Sequence, residues 1–392
     1  MASWFSQLSS TVSNVTGLGG TVESIQSVGE TVKDGQYFGK LSENDLDWTL
    51  ASGSSTENQV FYITTKTGGF AFVQLIHSNI GIWNPTISFT CRFYDPTSNT
   101  NVFKNINMSK FELSHDKRSV KTDYFNITLD PTQQTYKLQI THPDLVVSMD
   151  FNRVDQGFKV GEGRTYLGGG NNGNGGDGDQ SSSAAGFVSH KFWPRAQAKG
   201  TFIVDKQLHE VEGDGMFIHA IQGMQPQLIA SNWNFVNFQS SEAALSMMQF
   251  QTTKQYGSVN INQGSLVLHD KLICVSVDNH VELLDLQKDE ETEYDIPQRI
   301  KLTWKGKTIK QEGADDEKDV SIEMIVTVKN LVDKIDVLAE IPWFLKKLVQ
   351  TFVVKPYIYQ WLDKATATIT VGDETVQVEG NCFQELVFVS GF

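Results

Sequence analysis

Four titratable side chains crowd into one short stretch: His209, Glu212, Asp214 and His219, interleaved with Met216 and Phe217. A carboxylate and an imidazole facing an apolar enclosure could protonate a double bond or hold a headgroup. More often such residues satisfy buried backbone or face water. Met216, Phe217 and His219, with Trp233 and Phe235 downstream, are the candidate lipid-binding residues, and no residue is assigned a catalytic role.

Other chemistries lack their parts. The eight histidines form no His-x-x-x-His pair and the cysteines no Cys-x-x-Cys, so no metal site is expected. No Gly-x-Ser-x-Gly elbow or P-loop occurs. A formal Gly-x-Gly-x-x-Gly at Gly173, Gly175 and Gly178 lacks the preceding strand and following helix that a dinucleotide site needs, so no cofactor is expected. By elimination, the work is the handling of an apolar ligand. The 24 phenylalanines could line such a site, but two ordinary cores would use them too.

A second functional signal lies at the start of the chain. Trp4, Phe5, Leu8, Val12, Val15 and Leu18 fall within an arc of about 140° on a helical wheel. Ser, Thr, Asn and Gln fill the other face, and no acid or base precedes Glu23. A helix stable alone in water would carry Lys and Glu there. This stripe predicts a membrane-docking helix ordered by the interface and responsive to packing defects and curvature rather than to surface charge. The alternative is that Trp4 and Phe5 dock on the protein's own barrel.

Composition sets the frame. A chain of 392 residues, 39% hydrophobic, can fill two cores. The net charge of −14 argues against a nucleic-acid partner. Cys91, Cys274 and Cys382, odd in number and in apolar contexts, suit buried reduced thiols in a cytosolic protein. No secretory signal or membrane span is visible, so the sequons at Asn14, Asn107 and Asn126 are chance matches. The acidic runs Asp289–Glu293 and Asp315–Glu317 read as solvated loops.

The elements that must hold the site are strands. After a second short amphipathic turn at Val22–Val32, runs rich in β-branched and aromatic residues begin near Asp47. They include Gln59–Thr65, Phe70–His77, Thr86–Tyr94, Ser119–Leu129, Thr135–Thr141 and Leu145–Phe151, and read as antiparallel sheet closed into barrels. An internal repeat divides them. Thr201-Phe-Ile-Val204, a polar turn and Val211-Glu-Gly213 is echoed by Thr368-Ile-Thr-Val371, a polar turn and Val378-Glu-Gly380. Each copy reads as a hairpin closing its half of the chain, giving two related barrels with a boundary near Gly223. The Gly/Asn/Ser stretch 168–186 predicts a flexible loop. Lys334–Gln350 predicts a helix inserted between strands, either a lid on a barrel mouth or a permanent cover.

Several longer stretches carry a resemblance: Leu46-Asp-Trp-Thr49, Trp83-Asn-Pro-Thr-Ile-Ser-Phe-Thr90, Lys191-Phe-Trp-Pro-Arg195, Gly213–Met224, Ser231–Gln239 and Lys355-Pro-Tyr-Ile-Tyr359. In these the chain resembles the fungal oxidative-stress survival factor family. The resemblance implies an all-β fold of two tandem lipocalin-like antiparallel barrels, related in architecture to bacterial carotenoid hydratases, with an N-terminal amphipathic helix. The expected divisions are 1–38 for docking, 39–222 for the first barrel and 223–392 for the second. It implies a non-enzymatic protein, cytoplasmic and peripheral on Golgi and endoplasmic reticulum membranes, with the nucleus as a further compartment. Such a protein carries a ceramide-like sphingolipid and supports survival of oxidative stress. Two departures stand out: the Gly168–Gly178 stretch reads as an insertion, and Ala2 predicts Met1 removal and acetylation. The competing reading is a hydratase or isomerase of an apolar polyene or terpenoid, with His219 and a nearby acid as proton donors; it rests on fold analogy, a weak warrant for function.

Overall fold

Many strands alternate buried and exposed residues, but those that carry the inter-sheet contact hold apolar residues on both faces over part of their length, and the chain answers by curling two sheets and packing them back to back. In the computed structural model the described residues are 22–30, 32, 34–79, 85–168, 184–224, 226–310, 317–337 and 356–388. Among them the protein is almost wholly β. A 15-stranded sheet draws its strands from Ile25 to Gln222, and a 10-stranded sheet from Ala230 to Phe388. A single turn of α-helix, Pro226–Ile229, stands between them.

The repeat read from the sequence is a repeat of structure. Strands Gly186–Val204 and Gln207–Gln222 form one long hairpin, and Tyr357–Val371 and Glu374–Phe388 the other. Both turn in two residues. Asp205 and Lys206 sit at φ 50 and 66, and Gly372 at φ 60, the positive values that tight hairpin turns require. In each sheet the second strand of the hairpin pairs with an early strand of the same half, Ser55–Thr65 or Ala230–Gln239. The shared glycine explains itself at that seam. A Cβ on Gly213 would stand 2.1 Å from the Thr64 carbonyl oxygen, and one on Gly380 would stand 2.6 Å from that of Gln239.

Three apolar clusters follow from strand parity. Inside the first sheet, Phe61, Tyr136, Phe151, Trp193 and Phe217 meet at ring separations from 4.9 to 5.3 Å. Inside the second lie Leu302, Trp304, Met324, Tyr359 and Trp361. The third cluster lies between the sheets, where Tyr62, Phe70, Phe72, Met216 and Ile218 on the outer face of the first meet Phe235, Phe250 and Phe383 of the second. Phe70 stacks on Phe383 at 4.0 Å.

Polar side chains fasten the rim of this contact. Arg195, 5% exposed, donates to the Gln239 side chain at 2.9 Å and the Ser240 carbonyl at 2.8 Å, and reaches Asp270 at 3.2 Å. Pro194, which has no N–H, sits in the bulge that aims it. The Lys191–Arg195 stretch is thus an inter-sheet clamp. At the far edge Arg92 pairs with Asp333, and Asn101 donates to the Val332 carbonyl at 3.0 Å.

Several expectations change. Val22–Val32 is no amphipathic turn: Ile25–Gln26 is a strand edge paired with Tyr166–Leu167, and the Val28 amide donates to the Thr165 hydroxyl. An open sheet edge offered these β-branched residues more than a short helix could. Ser119–Leu129 is two strands, Val120–Lys121 and Phe125–Leu129, separated where the Thr122 hydroxyl and backbone bond Phe125. Lys334–Gln350 is not a helix at its start, because Leu331–Asp336 pairs as a strand with Tyr357–Trp361. Its remainder, from residue 338, lies outside the described residues, as do the Trp4–Leu18 stripe and all of the Gly/Asn stretch from 169 to 183. The three cysteines are buried and free.

Gly213→Val and Gly380→Val should each destabilise the fold by roughly 1–3 kcal/mol through overpacking at the seam. Calorimetric melting checks this; an unshifted transition for either variant would show that the close backbone approach at that glycine does not exist.

Candidate functional site

The His209–His219 cluster comes apart in space, because a strand sends alternate side chains to opposite faces. His209 and His219 point into the first barrel, where His209 packs on Phe93 at 4.8 Å. Glu212 and Asp214 point out, to Lys66 and to Arg195. His219 meets a different carboxylate. Its Nε2 lies 2.7 Å from Glu57, and both side chains are almost fully buried.

Glu57 has little capacity left for chemistry. It also accepts from the backbone amides of Thr49 and Leu50, at 2.8 and 2.7 Å, and so pins the chain that enters the barrel. Burial alone would raise its pKa, but His219 and those amides hold it below the usual carboxylate range. Nearby, burial pushes the Lys191 amine down to about 8. Trp48 closes over His219 at 5.8 Å. This buried pair with filled valences reads as architecture rather than as a proton donor aimed at a substrate.

Open space lies instead between the sheets. One cavity of about 590 Å³ is lined by Phe72, Ile76 and Phe103 on one side and Ile335 and Ile358 on the other. A second, of about 290 Å³, is lined by Ile218, Ala220, Trp233, Phe235 and Met248. Val60, Tyr62, Gln74, Val337, Ile358 and Glu385 border both, so the two are lobes of one cleft. Such volumes and apolar walls suit a small-molecule site.

The candidate residues divide accordingly. Trp233 and Phe235 line the smaller lobe. Met216 packs in the same inter-sheet cluster without lining either lobe, while Phe217 and His219 face the other way, into the filled first barrel.

Sequence reasoning missed the polar side of the cleft. Gln360 donates to Glu385 at 2.7 Å across a strand pair. Burial raises the Glu385 pKa, with the Gln360 amide acting against it. Glu385 in turn raises the pKa of the Tyr62 hydroxyl, which burial already pushes far up. Burial lowers the Arg92 guanidinium to about 10. A usable signal existed: Gln74, Gln360 and Glu385 each interrupt an apolar every-second-residue row, in Phe70-Phe72-Gln74-Ile76, Ile358-Gln360-Leu362 and Phe383-Glu385-Val387.

A second pocket of about 510 Å³, bordered by Leu228, Trp233, Leu283, Tyr294 and Phe388, opens at one end of the second sheet. Among the described residues no cluster of His, Cys, Asp and Glu could hold a metal, and no helix is long and apolar enough to cross a membrane.

Comparison with known proteins agrees with this architecture. A solved structure of CghA with Sch210972 aligns at a TM-score of 0.59 and 10% identity, over 95% of this chain and 100% of that one. Kievitone hydratase from Nectria haematococca aligns at 0.54 and 12%, over 90% and 94%. At such identities the likeness concerns the fold alone. Closer in sequence are the ceramide-binding protein svf1 of Schizosaccharomyces pombe, 33% identical over 357 residues and 90% of each chain, and ceramide-binding protein SVF1 of Yarrowia lipolytica, 33% identical over 371 residues, 90% of this chain and 91% of that one. The model of the Svf1 family matches residues 2–390, and the chain belongs to that family.

Proposed function

We propose that this protein is a non-enzymatic carrier that takes up a ceramide-like lipid in the cleft between its two barrel-like sheets. The two-lobed cleft carries the reading: apolar side chains of both sheets face it beside a polar patch at Arg92, Gln360 and Glu385, and it borders the filled cores without entering them. Relatives that match over nine-tenths of the chain and are named as ceramide-binding support the choice of lipid.

The neutral stripe Trp4–Leu18 supplies the membrane contact. It docks reversibly on the cytosolic faces of Golgi and endoplasmic reticulum membranes, and the cleft then receives the lipid. The same lipid handling supports survival of oxidative stress. The stripe sets which bilayer is visited, and the cleft sets which lipid leaves it.

Replacing Trp4 and Phe5 together by Asp should abolish flotation with neutral, highly curved vesicles while leaving the melting temperature unchanged; undiminished flotation would remove this account of docking. Lipid extracted from the purified protein and read by mass spectrometry should contain an unmodified sphingolipid. Ala220→Phe, which fills the smaller lobe, should cut that load by about tenfold, whereas His219→Gln, inside the first barrel, should keep it. Loss of load only in the His219 variant would move the site into the barrel.

A further inference from the structure

The cleft changes character where its lobes meet. The smaller lobe is walled largely by apolar side chains, while the larger has an apolar side and a polar one that carries Gln74, Thr90, Arg92, Asn101 and Asp333; Glu385 borders both lobes, with Gln360 beside it on the larger. Gln360 is 97% buried, yet its Oε1 has no hydrogen-bond partner among the described residues. Arg92, equally buried and lining the larger lobe, has an Nε in the same state. A buried acceptor and a buried donor left open in an apolar cleft are costly unless something fills them. Whichever way the Gln360 amide is turned, one of its two ends meets Glu385 and the other faces no protein partner.

Charge at this waist is already settled. The Arg92 guanidinium is paired with Asp333, Asp336 borders the larger lobe as a further acid, and Glu385 is held towards its uncharged form by burial. An anionic headgroup would have to shed its water beside the carboxyl groups of Glu385, Asp333 and Asp336 and find the Arg92 cation taken. An uncharged group offering both N–H or O–H donors and a carbonyl acceptor meets no such penalty.

We propose that Gln360, Glu385 and Arg92 form the headgroup subsite for a two-chain lipid, which lays one chain in each lobe and presents an uncharged amide-and-hydroxyl headgroup at the waist. This rests on the cleft reading above and adds to it the orientation of the lipid and the ground of its selection. A glycerolipid phosphate or a phosphorylated sphingolipid is refused at the same point. The apolar sides of the lobes bind chains without choosing among them; the polar patch at Gln360, Glu385 and Arg92 chooses.

The test uses the full chain incubated with phosphatidylcholine vesicles that contain N-acylsphingosine or its 1-phosphate, with uptake read by native mass spectrometry. The unmodified protein should take up N-acylsphingosine at least about tenfold over the phosphate. Glu385→Ala and Gln360→Leu should each lower uptake by about tenfold, while Glu385→Gln, an uncharged isostere with donor and acceptor, should stay within about threefold of the unmodified protein. Equal uptake of the phosphate overturns the subsite without any variant. If Ala220→Phe empties the cleft but Glu385→Ala and Gln360→Leu load normally, the lipid lies in the cleft with its headgroup elsewhere and this proposal alone fails. If Ala220→Phe also loads normally, the cleft reading fails with it.

Discussion

Everything in this molecule hangs on the contact between the outer faces of its two sheets, at whose centre Phe70 stacks on Phe383. A curled sheet ordinarily buries its concave face and wets its convex one. Here Phe70–Asn79 and parts of Ser55–Thr65 and Gln207–Gln222 are apolar on both faces, and Glu374–Phe388 adds Phe383 to the outer one, so neither half could stand in water without an exposed patch of rings. Covering each with the other removes the problem. The inter-sheet cluster is comparable in size to the core inside either sheet, and it behaves as a third core rather than a domain boundary.

That arrangement also explains why space for a ligand lies between the sheets. Inside each barrel, parity and size allow aromatic side chains to interlock, and a small barrel's interior is just wide enough for them. Two twisted convex faces cannot match everywhere. They touch along the line of Phe70, Tyr62, Phe235 and Phe383 and diverge beside it. Arg195 at one rim and Arg92 with Asp333 at another fix how far apart the faces stand. Arg195 has its donors filled by backbone and amide oxygens and an acid, the arrangement in which a buried cation is tolerable.

Much of the fold was legible in the sequence because its signals are local. Period-two runs and the Thr201–Gly213 and Thr368–Gly380 echo announced strands and two closing hairpins, and the seam glycines belong to that echo. The cleft was less legible because it is assembled from distant residues; Arg92 and Asp333 are 241 positions apart. The partners of the histidine cluster were hidden for a related reason. Closeness along a strand is not closeness in space, since neighbours face opposite ways, and His219 finds its acid in Glu57 on the paired strand Ser55–Thr65. The Lys334–Gln350 period likewise favoured a helix, but at its start tertiary pairing with Tyr357–Trp361 won.

For a carrier that works at a bilayer, this division between walls and waist has an energetic consequence. Burying a methylene is worth about 0.8 kcal/mol relative to water, but a lipid leaving a membrane never leaves apolar surroundings. Chain contacts in the lobes replace equivalent contacts with neighbouring acyl chains, so they contribute little net preference for the protein over the bilayer. The balance then falls to the headgroup, which in the membrane is hydrated and in the cleft must be matched by Gln360, Glu385 and Arg92. A matched group exchanges bonds to water for bonds to protein at nearly even cost, while a mismatched one leaves buried atoms unsatisfied at roughly 1–3 kcal/mol each. On the proposed carrier reading, uptake would be selective yet shallow, and shallow binding would let the same lipid be released again.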